Sequence, residues 1–189
     1  MTLDQSRAVV HADASNPNDT VGFSGSGLIT LTATVTDGDG DQDSASTDIT
    51  GSFELNDDAP SIVRNGTVAP TLVVDETNLG VTDSSGFAGL FTPTFGNDGF
   101  KDSDNDDTED ADAVAYGLSV NGANAASGLT DTQSNESVVL NVVGGDVVGT
   151  TATGGVEVLR ISVDGNTGDV TLDQSRAAVS YTHLRAHET

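Results

Sequence analysis

No cysteine occurs among the 189 residues, which excludes a disulfide framework, a thiolate metal site and a cysteine nucleophile. Tryptophan is also absent, with 2 Tyr and 6 Phe, so the core has few large rings to fill it. Bases are scarce: 6 Lys plus Arg stand against 30 Asp plus Glu, a formal charge of -24. Nucleic acid and anionic membrane surfaces both need a basic footprint, so neither is expected as a partner. There is no run of 18 or more apolar residues, and the N-terminus lacks the basic and apolar regions of a signal peptide. No membrane insertion is therefore expected, and any route of export is encoded elsewhere. No window keeps an apolar 3.6-residue period with caps, so almost no helix is expected.

What is present is aspartate, glycine and strand-forming residues. Of the 30 acids, 24 are Asp and 6 are Glu. Acids that served only to solvate the surface would include as many glutamates, whereas turns and metal loops favour the shorter side chain. With 22 Gly and abundant Thr and Val, the composition is that of a β-rich chain with many turns.

The chain is organised around Thr36-Asp37-Gly38-Asp39-Gly40-Asp41-Gln42-Asp43. Asp37, Asp39, Asp41 and Asp43 stand at every second position, and their mutual repulsion is relieved when a cation sits between them. Calcium takes six to eight oxygen ligands, and short carboxylates separated by glycine can fold around one centre. A solvated acidic turn between two strands satisfies the same spacing; the shortage of bases elsewhere favours the cation. Before this loop, Ile29, Leu31, Ala33 and Val35 alternate with Thr30, Thr32, Thr34 and Thr36, the period-2 pattern of a half-buried strand over Leu28 to Thr36. Ala45 to Leu55 alternates again and is expected as its hairpin partner. Further strands are expected at 8–11, 21–23, 70–76, 113–120, 137–143, 156–163 and 170–172, with Asp164 to Asp169 as a hairpin turn.

Two more acidic places stand out. Asn56-Asp57-Asp58-Ala59-Pro60 reads as a boundary, because proline stops a ladder; Asp57 and Asp58 form either a plain turn or part of a calcium site shared with loops of the flanking units. Asp102-x-Asp104-x-Asp106 imitates the opening of an EF-hand, but the sixth position is Asp107 and the twelfth Ala113, where glycine and glutamate are required. A calcium-ordered β-loop and a disordered acidic insert both fit that stretch.

An internal repeat is exact over seven residues: Thr2 to Ala8 (TLDQSRA) returns as Thr171 to Ala177. The chain is thus expected to start near the end of one unit and run into the next, as a fragment of a tandem array. Residues 1–58 are read as the C-terminal part of one unit and 59–179 as the N-terminal part of the next. Residues 180–189, with His183 and His187, resemble translated sequencing-adaptor sequence from metagenomic reading frames and are excluded from the functional reading.

The expected architecture is all-β: antiparallel immunoglobulin-like β-sandwich modules in tandem, stabilised by calcium. The phrases TLDQSRAVVHAD, GLITLTATVTDGDGDQDSAS, LNDDAPSI, LVVDETNLG and GLTDTQSNESVVLNVVGG resemble the repeat units of giant type I-secreted adhesins of the repeats-in-toxin group. That resemblance implies a calcium-stiffened extender module of an extracellular or cell-surface adhesin acting in cell adhesion and biofilm formation. Its partners would be neighbouring repeat units and surface or matrix glycans. The calcium role is carried over to Asp37, Asp39, Asp41 and Asp43, and to Asp57 and Asp58. The group's tandem glycine-rich nonapeptides are absent, so a β-roll is not expected.

Two other classes share parts of this pattern. A glycoside hydrolase needs two carboxylates across a cleft, and aromatic platforms usually accompany them. Gly22-Phe23-Ser24-Gly25-Ser26-Gly27 lacks the final glycine of a nucleophile elbow, and His11 has no triad context; no catalysis is expected. A carbohydrate- or ice-binding module would use the threonine row, whose side chains repeat every ~6.6 Å along a strand.

Overall fold

The structure is a computed structural model and describes residues 2–13, 16 and 18–180. The sequence at 181–189, assigned above to an adaptor-like tail, lies outside the described residues. The chain is all-β with antiparallel pairing, and helix among the described residues is limited to two short 3-10 turns, Thr50–Ser52 and Ala88–Leu90. It divides into two compact units: residues 1–62 with 93–100, and residues 63–92 with 101–189.

The first unit holds β1 (Thr20–Gly22), β2 (Thr30–Thr36), β3 (Gln42–Asp48) and β4 (Glu54–Asn56). β2 and β3 pair in register from Thr30↔Asp48 to Thr36↔Gln42, and β1 pairs with β4. The expected partner run at 45–55 is broken by the turn at Thr50–Ser52, and Thr50 explains the break. Its hydroxyl accepts the amides of Leu28 and Ile29 at 2.9 Å each and donates to Asp48 Oδ1 at 2.6 Å. The Asp48 carboxylate also accepts the Gly27 amide at 2.7 Å. Thr50 is 1% exposed, so this polar knot replaces a continued ladder. β2 is exposed along both faces, with Leu31 52% and Val35 66% accessible. The half-buried strand expected there is corrected: the pairing is present, but no described layer covers the apolar face.

β5 (Ser61–Arg64) and β7 (Phe91–Thr94) form a two-stranded ribbon. The second unit is built on one curled seven-stranded sheet. Its strands are β6 (Asp83–Gly86), β8 (Ala125–Asp131), β9 (Ser137–Val143), β10 (Asp146–Thr151), β11 (Glu157–Val163), β12 (Asp169–Gln174) and β13 (Ala178–Ser180). The order across the sheet is β13-β8-β9-β10-β11-β12-β6. Its core is small and aliphatic, as the lack of rings implies: Val138 and Val158 are 1% and 0% exposed, joined by Val147, Val148 and Val170. Gly149 lets the strands close, because a Cβ there would lie 2.9 Å from the Leu159 side chain.

Three of the hairpins, β8–β9, β10–β11 and β11–β12, use one loop. The amides of Asn135, Gly155 and Gly168 each return 2.9 Å to the carbonyls of Asp131, Thr151 and Asp164. The residue closing each loop is left-handed, with φ of 58°, 64° and 70°, a conformation that Gly and Asn adopt most cheaply. The expected turn at Asp164 to Asp169 is one of the three. Between β8 and β9 the register shifts after Ala126, and the Ser127 hydroxyl bridges the gap, donating to the Val138 carbonyl at 2.6 Å and accepting the Leu129 amide at 3.0 Å.

Three expected strands are not strands: residues 8–11, 70–76 and 113–120. Pro70 offers no amide, and the Val73 amide goes to the Asp83 carboxylate at 2.7 Å. Over 113–120 the Tyr116 amide bonds the Gly165 carbonyl at 2.8 Å without a ladder forming. Residues 8–11 are the instructive case, because they follow the first copy of the repeated heptapeptide. The first four residues of the second copy, Thr171 to Gln174, lie in β12, where Leu172 pairs with Ile161 and Asp83. The first copy is exposed irregular chain, with no β11 or β6 beside it. Only a local bond survives in both: the Gln5 amide to the Arg7 carbonyl at 3.1 Å and the Gln174 amide to the Arg176 carbonyl at 3.0 Å.

Candidate metal centres

Among the described residues three groups of carboxylates come together, and in each the ligand atoms lie within 4.8 Å of one another: Asp37, Asp39 and Asp41; Asp57, Asp58 and Asp98; and Asp102, Asp104 and Asp106.

The first group sits at the tip of the β2–β3 hairpin. Asp37 builds the loop: its amide donates to the Asp41 carbonyl at 2.9 Å, and its Oδ1 accepts the amides of Gly40 and Asp41 at 3.1 and 2.8 Å. Gly40 has φ of 100°, which a residue with a Cβ rarely adopts. A hydrogen bond from the Asp39 carboxyl, then those from the Asp41 and Gly40 amides, hold the Asp37 carboxyl below its usual value. All three carboxylates are exposed. Asp43 is not brought in. It stands on β3 opposite Val35, and its Oδ1 accepts the Ser44 amide at 2.9 Å. Arg7 is the single Lys or Arg in the sequence of this unit, so little competes with an external cation.

The second group was half legible. Asp57 and Asp58 were expected; Asp98, which completes the set, was not. Asp58 Oδ2 accepts the Asn97 backbone amide at 2.9 Å and its side-chain amide at 3.0 Å. Gly96 makes that approach possible, since a Cβ there would lie 2.7 Å from the Asp58 carboxylate. Partial burial, and then the charges of Asp57 and Asp58, push the Asp98 carboxyl up. The three acids line a cavity of about 300 Å³ with Arg7, His11 and Asn97 among its other walls.

The third group lies in a loop closed by the Asp110 amide on the Lys101 carbonyl at 2.8 Å. Asp102 organises it by accepting the amides of Asp106 and Asp107, each at 3.1 Å. Asn105 and Asp107 take φ of 59° and 61°, which serves in place of the glycine an EF-hand needs at its sixth position. Lys101 is paired with Asp112, and Asp110 accepts the Ser103 amide and hydroxyl at 3.0 and 2.6 Å, so these flanking acids already have partners.

One further carboxylate is wholly structural. Asp131 is 0% exposed and takes two bonds from Arg176 at 2.9 and 2.8 Å, with two more from Ser134 at 2.9 and 2.6 Å. The Arg176 guanidinium, followed by the Ser134 hydroxyl, holds its carboxyl far below the ordinary range.

Residues 1–50 and 71–187 match the family model described as a domain of unknown function, DUF5801. The chain belongs to the DUF5801 family. No curated protein and no solved structure matches it. Within this DUF5801 chain the Asp37–Asp41 hairpin, Asp98 and the Asp102–Asp106 loop fall inside the matched stretches, whereas Asp57 and Asp58 lie in the interval between them.

Proposed function

We propose that this chain is a non-catalytic, calcium-binding extender repeat of a large secreted or cell-surface adhesin, exported by type I secretion. The observation that carries the reading is the Asp37–Asp39–Asp41 group: three carboxylates within 4.8 Å at the tip of an exposed two-stranded ribbon. An isolated hairpin is marginal in water, and like charges at its turn oppose closure. A calcium ion accepting those oxygens would reverse that opposition and tie the turn. The Asp102–Asp106 loop has the same donor chemistry and is assigned the same ion. The exact heptapeptide repeat supports a tandem array in which neighbouring units are the immediate partners.

Thermal unfolding with calcium and with chelator tests the proposal. Sites of extracellular modules have Kd of about 10⁻⁴ to 10⁻³ M, so calcium at ~10 mM raises the melting temperature by mass action. Asp39→Asn and Asp41→Asn reduce that rise more than Asp13→Asn, which lies outside the three groups. Identical melting with calcium and with chelator would refute the reading.

A second reading is favoured by one feature. Thr30, Thr32, Thr34 and Thr36 face Asp48, Ser46, Ser44 and Gln42 across the pair, and the Thr32 and Ser46 hydroxyls are bonded at 2.8 Å. This exposed hydroxyl face suits a glycan or an ice surface. Binding on a glycan array, or thermal hysteresis, that is lost on Thr32→Val and Thr34→Val together would support it over a plain spacer.

A further inference from the structure

The repeated heptapeptide occupies a slot in one copy and has none in the other. In the second copy, residues 171–174 fill the gap between β11 and β6: Thr171 pairs with Ser162 and Ser84, and Leu172 with Ile161 and Asp83. The amides of Ser175 and Arg176 then reach the Val158 carbonyl at 2.8 and 3.2 Å, and the Ala177 carbonyl accepts the Thr132 amide at 3.0 Å. β13 continues the run by pairing with β8. Arg176 completes the set with its two bonds to Asp131, a carboxylate that is 0% exposed.

The first copy has every group that these contacts use. Most of them are made by backbone, and the side chains among them are Thr171, Leu172 and Arg176; Thr2, Leu3 and Arg7 stand in the same places. The match resumes beyond the heptapeptide, since Val10 stands where β13 has Val179. Yet residues 2–10 are exposed and belong to no ladder, with Leu3 50% and Val10 94% accessible. Apolar side chains so exposed gain when a sheet receives them, and the slot that receives this sequence is the one its twin occupies. A second copy of the chain supplies that slot.

We propose that residues 2–10 are a donor strand for a second copy of this chain, entering between β11 and β6 in place of that copy's residues 171–179. Arg7 leaves the wall of the acidic cavity and binds the second copy's Asp131, which exchanges an exposed position for a buried two-pronged pair. The exchange is reciprocal, so two copies close into a dimer about a two-fold axis. Each exchange trades a strand for its equal, and the resident strand has the advantage of its tether, an effective concentration on the order of 1 mM. Dimers therefore gain as the concentration rises or as the resident strand weakens. None of these contacts uses an ion, so the exchange is independent of the calcium reading.

The test weakens the resident strand and leaves the donor intact. Arg176→Ala removes the resident partner of Asp131, and loss of one partner of a buried pair disfavours that strand by ~100-fold or more. Against a tether of about 1 mM, donor and resident strands are then matched near ~10 µM. Sedimentation velocity on the full chain from ~5 to ~500 µM is expected to show Arg176→Ala dimers growing through that range and exceeding the parent's at every concentration. Adding Arg7→Ala to Arg176→Ala returns the dimer to the parent's level. Circular dichroism checks folding; if Arg176→Ala does not fold, Arg176→Lys, which keeps the charge and loses the two-pronged contact, takes its place with the same outcome expected. The position of the donor is read by cross-linking, which a chain without cysteine makes unambiguous. Chains carrying Thr2→Cys and chains carrying Ser162→Cys, otherwise unaltered, are mixed at ~500 µM and oxidised. Because Thr171 stands opposite Ser162, a disulfide joining positions 2 and 162 of different copies is expected, and peptide mass spectrometry identifies it. Three outcomes would each overturn the proposal: a folded Arg176 variant that stays monomeric throughout, dimers indifferent to Arg7→Ala, or no disulfide between positions 2 and 162.

Discussion

The two copies of Thr-Leu-Asp-Gln-Ser-Arg-Ala allow one side chain to be tested in two settings with identical local sequence. Leu172 lies in β12, half-buried between Ile161 of β11 and Asp83 of β6; Leu3, its equivalent, is 50% exposed in irregular chain. Truncating a core leucine to alanine costs about 2–5 kcal/mol, depending on burial and on the cavity left behind. Leu172 is not fully enclosed, so Leu172→Ala is expected near the low end, ~2 kcal/mol. Leu3 retains half its surface in water and supports no sheet, so Leu3→Ala is expected to cost no more than ~1 kcal/mol. For a unit of this size ~2 kcal/mol corresponds to roughly 6–10 °C in melting temperature. Scanning calorimetry on the two variants and the parent reads the difference, with the second unit's transition moving for Leu172→Ala. Equal shifts for both variants, or a larger one for Leu3→Ala, would refute the claim that sheet context rather than local sequence defines this strand.

Two further outcomes follow from the same structure. Thr50→Val keeps the shape but leaves the Leu28 and Ile29 amides without their acceptor, at about 1–3 kcal/mol; the first unit should melt earlier and the second should not, and an unchanged first transition would contradict the assigned knot. The Asp131 carboxyl has a folded value depressed far below its ordinary 3.8. The stability it contributes is therefore complete above about pH 5 and is lost as the pH falls through 3.8 toward the folded value. Urea midpoints measured from pH 7 to pH 3 should decline steeply for the parent and less steeply for Asp131→Asn, which starts lower; parallel profiles would show that this pair does not set the acid response.

How much was legible depended on how local each feature is. β9, β11 and β12 show in the sequence because each contains a run of strand-forming Val, Leu, Ile or Thr, such as Val138, Val139 and Leu140. β10 was missed because Val147 and Val148 are both buried and Gly149 follows, which erases the period of two. β8 was missed because Ala125 to Asp131 is made of small residues and carries a register shift. β6 is Asp-Ser-Ser-Gly, with no strand signal of its own; it pairs because β12 presents an open edge. The converse error at 113–120 and 70–76 came from apolar runs that no neighbouring strand receives.

The same distinction governs the acidic groups. Asp37, Asp39 and Asp41 are legible because one tight turn brings them together within five residues. Asp58 and Asn97 are 39 positions apart, and no local pattern could join Asp98 to Asp57. The only hint was the turn-forming Asn97-Asp98-Gly99 run. The fate of the Thr2–Ala8 copy was illegible for the opposite reason: its sequence is that of a strand, and its neighbours do not make it one.

Amide hydrogen exchange across residues 30–48, followed by mass spectrometry with ~10 mM calcium and with chelator, tests the central claim most directly. If calcium ties the Asp37–Asp41 turn, peptides covering β2 and β3 exchange markedly more slowly with the ion present, and Asp39→Asn removes that protection while leaving exchange in β9 to β12 unaltered. Exchange over 30–48 that is the same with and without calcium would contradict the account, however the rest of the chain behaves.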